Sequence, residues 1–401
     1  MHHKEQVRLM KQLIERLDSG SNVDAGGLFI QPTSTYTNRE RARRERDEFF
    51  LGLPQCVGMS GDLAEPGAFL TSNDVGVPIL ATRGADGSFH AFINSCRHRG
   101  AIVETEPRGT KRRFTCPFHA WIYDTGGALV GIPKLEHFGN IDTECHGLKQ
   151  LPAEERHGLL FVHPNPNGAL DLDDLLGAWF NDEFPTWDFA AMVPINRDTY
   201  DTACNWKLAM DTFGETYHFS SLHKDTLFNT FHGNVQCYDD DADVGGHSHR
   251  MILCRREIDQ MRHLPEDEWD ITVAGLPVYW IFPNVILMPF RAGVFLVRAY
   301  PDRNDPGRHV SRIDFYMKPE LQNATGPEAL EIQEFIQTIA QGFAEIIRDE
   351  DYVMGESQQT AANSGALDHI IFGRNEPALH HYHATYARKL SLGVEPLLDT
   401  V

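Results

Sequence analysis

Two stretches decide how this chain reads: NSCRHRGAIV (94–103) and TCPFHAWIYD (115–124). Each places one cysteine beside one histidine, as Cys96-x-His98 and Cys116-x2-His119, with residues 99–115 between the pairs. Hairpin signals surround both. VPILATR and FHAFINSC flank GADGS, and RRFTCPFHAWIYD and ALVGIP flank TGG. Each pair therefore sits near a loop tip, and two tips can pinch one site. Two Cys and two His suit a tetrahedral zinc ion. They also suit a [2Fe–2S] cluster with both cysteines on one iron and both histidines on the other. Common zinc fingers group like with like, two Cys and then two His. Here each motif mixes the two types. On spacing alone the cluster leads, zinc follows, and a metal-free pair of loops is the remainder.

Outward from these motifs, short strands with Gly and Asp turns run from about residue 50 to 165, an all-β pattern. PNPNGALDLDD (164–174) reads as a boundary. Before residue 46 lies an amphipathic helix, with Leu9, Leu13, Ile14 and Leu17 on one side, and an arm. After the boundary, long antiparallel strands between 278 and 319 precede a helix over 326–363. Pro327 suits its start, and Phe335, Ile336, Ile339, Phe343, Ile346 and Ile347 keep a helical period. The chain divides into 1–45 (helix and arm), 46–165 (β domain) and 166–401 (an α+β domain).

Composition narrows the classes. The 401 residues are 41% hydrophobic with net charge -21, which argues against nucleic acid as a partner. No apolar run approaches the 18 or so residues of a membrane helix. The N-terminus lacks the pattern of a signal peptide, so a cytoplasmic protein is expected. Seven cysteines are there expected as thiols or metal ligands. Cys56, Cys145, Cys204, Cys237 and Cys254 show no metal spacing and read as buried thiols.

A second constellation lies in NWKLAMDTFGETYHFSSLH (205–223). On an ideal helix His218 and His223 are about 500° apart and point about 140° away from each other. They share a metal only if the helix unwinds, and Ser220-Ser221 is a plausible place. Two His and one carboxylate on an ion with open positions form the facial triad of Fe(II) oxygenases. Candidates for the carboxylate are Asp225, Asp349, Glu350 and Asp351; a helical wheel puts Glu350 at the centre of the apolar stripe and Asp351 on its edge. Glu215, three residues before His218, is placed to orient that ring.

Together, CRHRG…CPFHAW and NWK…E-x2-H-x4-H resemble the oxygenase components of Rieske non-haem iron oxygenases, over nearly the whole chain. The resemblance implies an N-terminal all-β Rieske domain and a C-terminal helix-grip catalytic domain. It implies a [2Fe–2S] cluster on Cys96, His98, Cys116 and His119, and Fe(II) on His218, His223 and Asp351. Asp351 follows from the family's E-D-x4-E pattern, matched by Glu350, Asp351 and Glu356. Asp211-Thr212 departs from the Asp-Asn that related chains often carry. The resemblance further implies that Glu215 bridges to His119 or His98 of a neighbouring subunit, in a homotrimer with or without a β subunit. Electrons from NAD(P)H would arrive through a ferredoxin or flavin reductase. The expected reaction is hydroxylation, cis-dihydroxylation or oxidative demethylation of a small organic substrate, most simply an aromatic one. Cleavage of a quaternary ammonium compound is the alternative, and a non-catalytic electron carrier the weaker one.

Three further expectations concern partners and substrate. Arg97, Arg99, Lys111, Arg112 and Arg113 could dock an acidic ferredoxin. The strand aromatics Tyr279, Trp280, Phe282, Phe290, Phe295, Tyr300, Phe315 and Tyr316 could line a pocket or fill the sheet core. Arg291 or Arg298 could bind a substrate carboxylate.

Overall fold

The computed structural model describes residues 1–240 and 247–393. The chain forms two compact units: Arg46–Leu172 with Asp188–Met192, and Met1–Glu45 with Asp173–Trp187 and Val193 onward. Residues 1–45 thus join the larger unit rather than standing apart as an arm. No helix among the described residues is long and apolar enough to cross a membrane.

The smaller unit is built from short antiparallel strands. Five pair in the order Gln150–Leu151, Phe89–Ile93, Ile79–Arg83, Ala68–Ser72 and Arg108–Thr110. The hairpin read from GADGS sets Arg83 opposite Phe89. A three-stranded sheet of Arg113–Thr115, Ile122–Asp124 and Leu129–Gly131 carries the second Cys/His motif between its first two strands. Phe69, Leu80, Phe92, Phe114 and Tyr123 form the core between them.

In the larger unit seven antiparallel strands run in the order Val193–Thr202, His309–Met317, Gly293–Pro301, Val285–Phe290, Gly275–Ile281, His249–Arg255 and Phe231–Asp240. The N-terminal helix His3–Ser19 buries Leu9, Met10 and Leu13 in one cluster with Ile252 and Ile258. The short helix Trp206–Asp211 starts because the Asn205 side chain caps it, accepting from Lys207 N at 3.0 Å. Lys207 is fully buried and donates to the equally buried Glu45 at 2.5 Å, which also accepts from Arg41 at 2.9 Å. Burial draws the Lys207 ammonium down to about 8 despite Glu45.

The helix expected over 326–363 is present but interrupted. It runs from Pro327 to Ile346, passes through one π-helical turn at Ile347–Asp351, and continues from Tyr352 to Asn363. Its apolar stripe is only partly core. Ile336, Ala340, Ala344 and Ile347 are buried, whereas Phe335 is 66% and Ile339 43% exposed. The thiols also divide: Cys56, Cys204, Cys237 and Cys254 are buried, but Cys145 is exposed and donates to Asp142.

Two stability outcomes follow. Lys207→Met removes one of two cations paired with the buried Glu45, leaving Arg41, and should cost about 2 kcal/mol in chemical denaturation. Burial also holds His309 and His381 down to about 4, against an ordinary 6.5. As pH falls through 6.5 the unfolded chain takes up protons that these folded rings refuse. Stability should therefore drop between pH 6.5 and 4, by up to about 1.4 kcal/mol per pH unit per ring. His309→Asn should flatten that slope in urea titrations across the window.

Candidate metal centres

The two Cys/His motifs fold as near copies of one loop. Gly100 N donates to Cys96 O at 2.9 Å and Cys96 N to Ala101 O at 2.8 Å; Ala120 N donates to Cys116 O at 2.9 Å and Cys116 N to Trp121 O at 2.8 Å. In each loop the fourth residue after the cysteine turns left-handed, Gly100 at φ +79° and Ala120 at φ +55°. That turn folds each loop back on its cysteine. Cys96 and Cys116 are buried, and the His98 and His119 rings stand 4.5 Å apart between centroids. Trp121 stacks on His98 at 5.0 Å. Tyr123 Oη lies 3.3 Å from Cys96 Sγ and accepts from Arg97 N at 2.9 Å. His98 Nδ1 is buried with no hydrogen-bond partner, which an iron of the cluster would fill. The two thiols and two imidazoles are the donor set of that cluster, so the residues fit the group.

In the larger unit three distant side chains converge. His218 Nε2 and His223 Nε2 are 3.1 Å apart, and Asp351 Oδ1 lies 3.5 Å from the first and 3.3 Å from the second. Two ligands about 2.1 Å from one ion at a right angle lie about 3.0 Å apart, and opposite ligands about 4.2 Å. All three separations therefore match neighbouring positions on one face of a coordination sphere. Asp351 is 5% exposed, and its Oδ1 is buried without a hydrogen bond. A carboxylate oxygen in that state needs a cation.

No continuous helix carries the histidines. After Trp206–Asp211 the chain turns, and a single 3-10 turn, Tyr217–Ser220, carries His218, with His223 beyond it. Glu215 organises the bend. One carboxylate oxygen accepts from the backbone N of Tyr217 and of His218, and the other binds His218 Nδ1. The π-helical turn decides the third side chain. It puts an extra residue into the turn and shifts everything beyond it around the axis. A straight helical wheel centres Glu350; the real backbone turns Asp351 inward. Glu350 reaches the other side of His223, 2.7 Å from Nδ1. Asp225 is exposed and lies near Lys224, and Asp349 is paired with Arg348 at the surface.

Two spaces adjoin this triad. One is a cavity lined by Phe213, Phe219, Phe231, Met288, Phe343 and Ile347, with His218, His223 and Asp351 in its wall. No lysine or arginine is among its described lining residues. Of the two places open to the strand aromatics, they take the sheet core and are absent from that lining: Trp280 is core, and Tyr279 donates to the buried Glu183. Arg298 pairs with buried Asp314, and Arg291 faces solvent. The phenylalanines that line the cavity come from segments flanking the Glu-His motif and from the long helix. Phe213 and Phe219, on either side of Glu215 and His218, were the legible signal for them.

The other space is a groove with Tyr36, Asp211, Glu215, His218, Phe372 and Glu376 in its walls. Tyr36 donates to Asp211 at 2.9 Å, His383 Nε2 donates to Asp211 at 2.9 Å, and His383 Nδ1 accepts from Gln31 at 2.8 Å. Burial, reinforced by Glu215 and Asp211, lifts the Glu376 carboxyl to about 6. Residues this far apart in sequence leave no local pattern, and none of Tyr36, His383 or Glu376 stood out beforehand. Thr212, at the departure from Asp-Asn, spends its hydroxyl on Ala209 O at 2.9 Å.

Comparison with known proteins matches two family models to the chain. Residues 54–152 match the Rieske [2Fe-2S] domain, and residues 189–392 match the ring hydroxylating alpha subunit (catalytic domain). The class defined by fold and site is thus an oxygenase with a Rieske cluster and a non-haem Fe(II). The chain belongs to the ring-hydroxylating alpha-subunit family of Rieske non-haem iron oxygenases. It is similar to the carnitine monooxygenase oxygenase subunit of Escherichia coli (strain K12), 24% identical over 89% of this chain and 92% of the relative. It is also similar to the anthranilate 1,2-dioxygenase large subunit of Burkholderia cepacia, 31% identical over 58% of this chain and 55% of the relative. A solved quaternary ammonium Rieske monooxygenase, described for carnitine oxidation and inter-subunit electron transfer, shares the fold. Its TM-score is 0.73 at 20% identity, covering 92% of this chain and 95% of that one.

His218→Ala should abolish tight iron binding in the larger unit while the visible spectrum and reduced-state EPR of the cluster persist. Ala120→Gly should relieve a left-handed alanine and raise stability by about 1 kcal/mol, read from the unfolding of the cluster-loaded protein.

Proposed function

We propose that this chain is the terminal oxygenase of a multicomponent system acting on a small, uncharged, largely apolar substrate, most simply an aromatic ring. The lining of the cavity beside the triad carries this reading. Among its described lining residues phenylalanine and aliphatic side chains predominate, and the acidic groups are Glu215 and Asp351, both already engaged at the triad. Aromatic walls suit the faces and edges of an aromatic guest. Carnitine and anthranilate both carry a carboxylate, and none of the described lining residues offers a cation to hold one. Phenylalanine faces can also cradle a quaternary ammonium group. That second reading rests on the same rings and on the carnitine-related relative, and it lacks a partner for the substrate's acid end.

In this reading Cys96 and Cys116 hold one iron of the cluster and His98 and His119 the other. His218, His223 and Asp351 hold the mononuclear iron. When bound, the cluster delivers electrons singly and the iron activates O2 at its open face. The protein's share is positional. Glu215 steadies His218 and bridges to His98 or His119 of a second copy in a homotrimer. The cavity measures about 40 Å³, room for a few waters, so a substrate ring would enter beside the triad by displacing lining side chains such as Phe343. Arg97, Arg99, Arg112 and Arg113 are exposed and form the landing site of an acidic ferredoxin, while Lys111 is tied to Glu104 at 2.6 Å. Residues 46–165 serve as the electron-entry domain and 166–401 as the catalytic domain.

The test is oxygen uptake by iron-loaded protein with a ferredoxin and reductase. Indole or naphthalene should stimulate uptake and give hydroxylated product, and Phe343→Asp should suppress it. Coupled turnover of carnitine, with formaldehyde or an aldehyde released and no response to neutral rings, would replace this reading by the second.

A further inference from the structure

Two adjacent residues of the π-helical turn grip the same imidazole from opposite ends. Asp351 Oδ1 lies 3.3 Å from His223 Nε2, and Glu350 Oε2 lies 2.7 Å from His223 Nδ1. A regular helix points neighbouring side chains about 100° apart. Here the ring, 1% exposed at its side chain, fits between the two carboxylates. The same Glu350 oxygen accepts from Thr226 Oγ1 at 3.0 Å, which fixes the carboxylate from a third direction. His218 has the matching arrangement, with Glu215 on its Nδ1. Each histidine of the triad thus has a carboxylate behind it.

We propose that Glu350 is a positioning residue for the iron site and not a ligand. By accepting from Nδ1–H it holds His223 in the tautomer whose Nε2 carries the free lone pair, and it fixes the ring plane so that this lone pair faces the ion. The proposal rests on the reading of His218, His223 and Asp351 as the iron ligands. Behind it stands a general rule: a ligating imidazole donates its other N–H to an oxygen, and losing that oxygen weakens metal binding about 10–100-fold. A carboxylate that served only to tie the turn to Thr226 would affect folding and leave metal affinity alone.

The experiment is calorimetric titration with Co(II) of cluster-loaded protein stripped of mononuclear iron, comparing Glu350→Ala, Glu350→Gln, Thr226→Val, His223→Ala and Asp351→Ala. The cluster's EPR signal serves as an integrity check. Glu350→Ala should bind Co(II) about 10–100-fold more weakly. Glu350→Gln, which keeps an acceptor oxygen, should recover at least half of that loss on a logarithmic scale. Thr226→Val should stay within about threefold of the parent while lowering the unfolding temperature. Full affinity in Glu350→Ala overturns the proposal, as does a Glu350→Gln no better than the alanine variant. Loss of binding in Glu350→Ala with binding retained in Asp351→Ala would make Glu350 the ligand. If His223→Ala and Asp351→Ala both keep full affinity, the iron-site reading itself is wrong.

Discussion

Three atoms must lie within about 3.5 Å of one another although their residues lie up to 133 positions apart in the chain: His218 Nε2, His223 Nε2 and Asp351 Oδ1. Before any ion binds, bringing a carboxylate oxygen into a buried niche without a hydrogen bond is unfavourable. The fold must hold it there by force of packing. The seven-stranded sheet and the capped helix at Asn205 fix one side, and the long helix from Pro327 brings the other. Glu215 and Glu350 then remove the remaining freedom of the two rings. The rest of the larger unit can be understood as support for that triangle.

Much of this was legible in the sequence, and what was not has identifiable causes. The Cys/His loops announced themselves because their spacing and flanking hairpins are local features. His218 and His223 were legible in the same way, although the expected helix is a turn organised by Glu215. The third side chain of the triad was harder. Periodicity assumes one residue per 100° throughout, and a single π-helical turn breaks that assumption at the position that matters. The motif E-D pointed to Asp351 where the wheel pointed to Glu350. Of the two readings open for the strand aromatics, filling their own sheet is the one that holds, while the cavity walls come from Phe213, Phe219 and Phe343, whose placement depends on the bends. The Tyr36–Asp211–His383 chain draws on three remote segments, and only folding assembles it.

The two units meet their tasks with opposite economies. The smaller uses short strands to present two nearly identical loops, so one backbone solution serves twice. Ala120 is where the copy is imperfect: it adopts the left-handed turn that Gly100 adopts freely. The larger unit repeats nothing. It gathers single contributions from separate elements, and its polar interior accordingly holds paired groups such as Lys207 with Glu45 and Arg298 with Asp314.

The half-covered stripe on the long helix has a colloidal consequence. Phe335 and Ile339 present oily surface to water, with Ile332 one turn earlier also exposed. Such a ladder favours sticking between molecules at high concentration. The chain's formal charge of -21 opposes this, because like-charged copies repel before their apolar faces touch. Salt screens that repulsion over a distance of about 8 Å at physiological ionic strength. Dispersal of this protein in solution is therefore a contest between a local oily ridge and a global negative field, and ionic strength sets the balance.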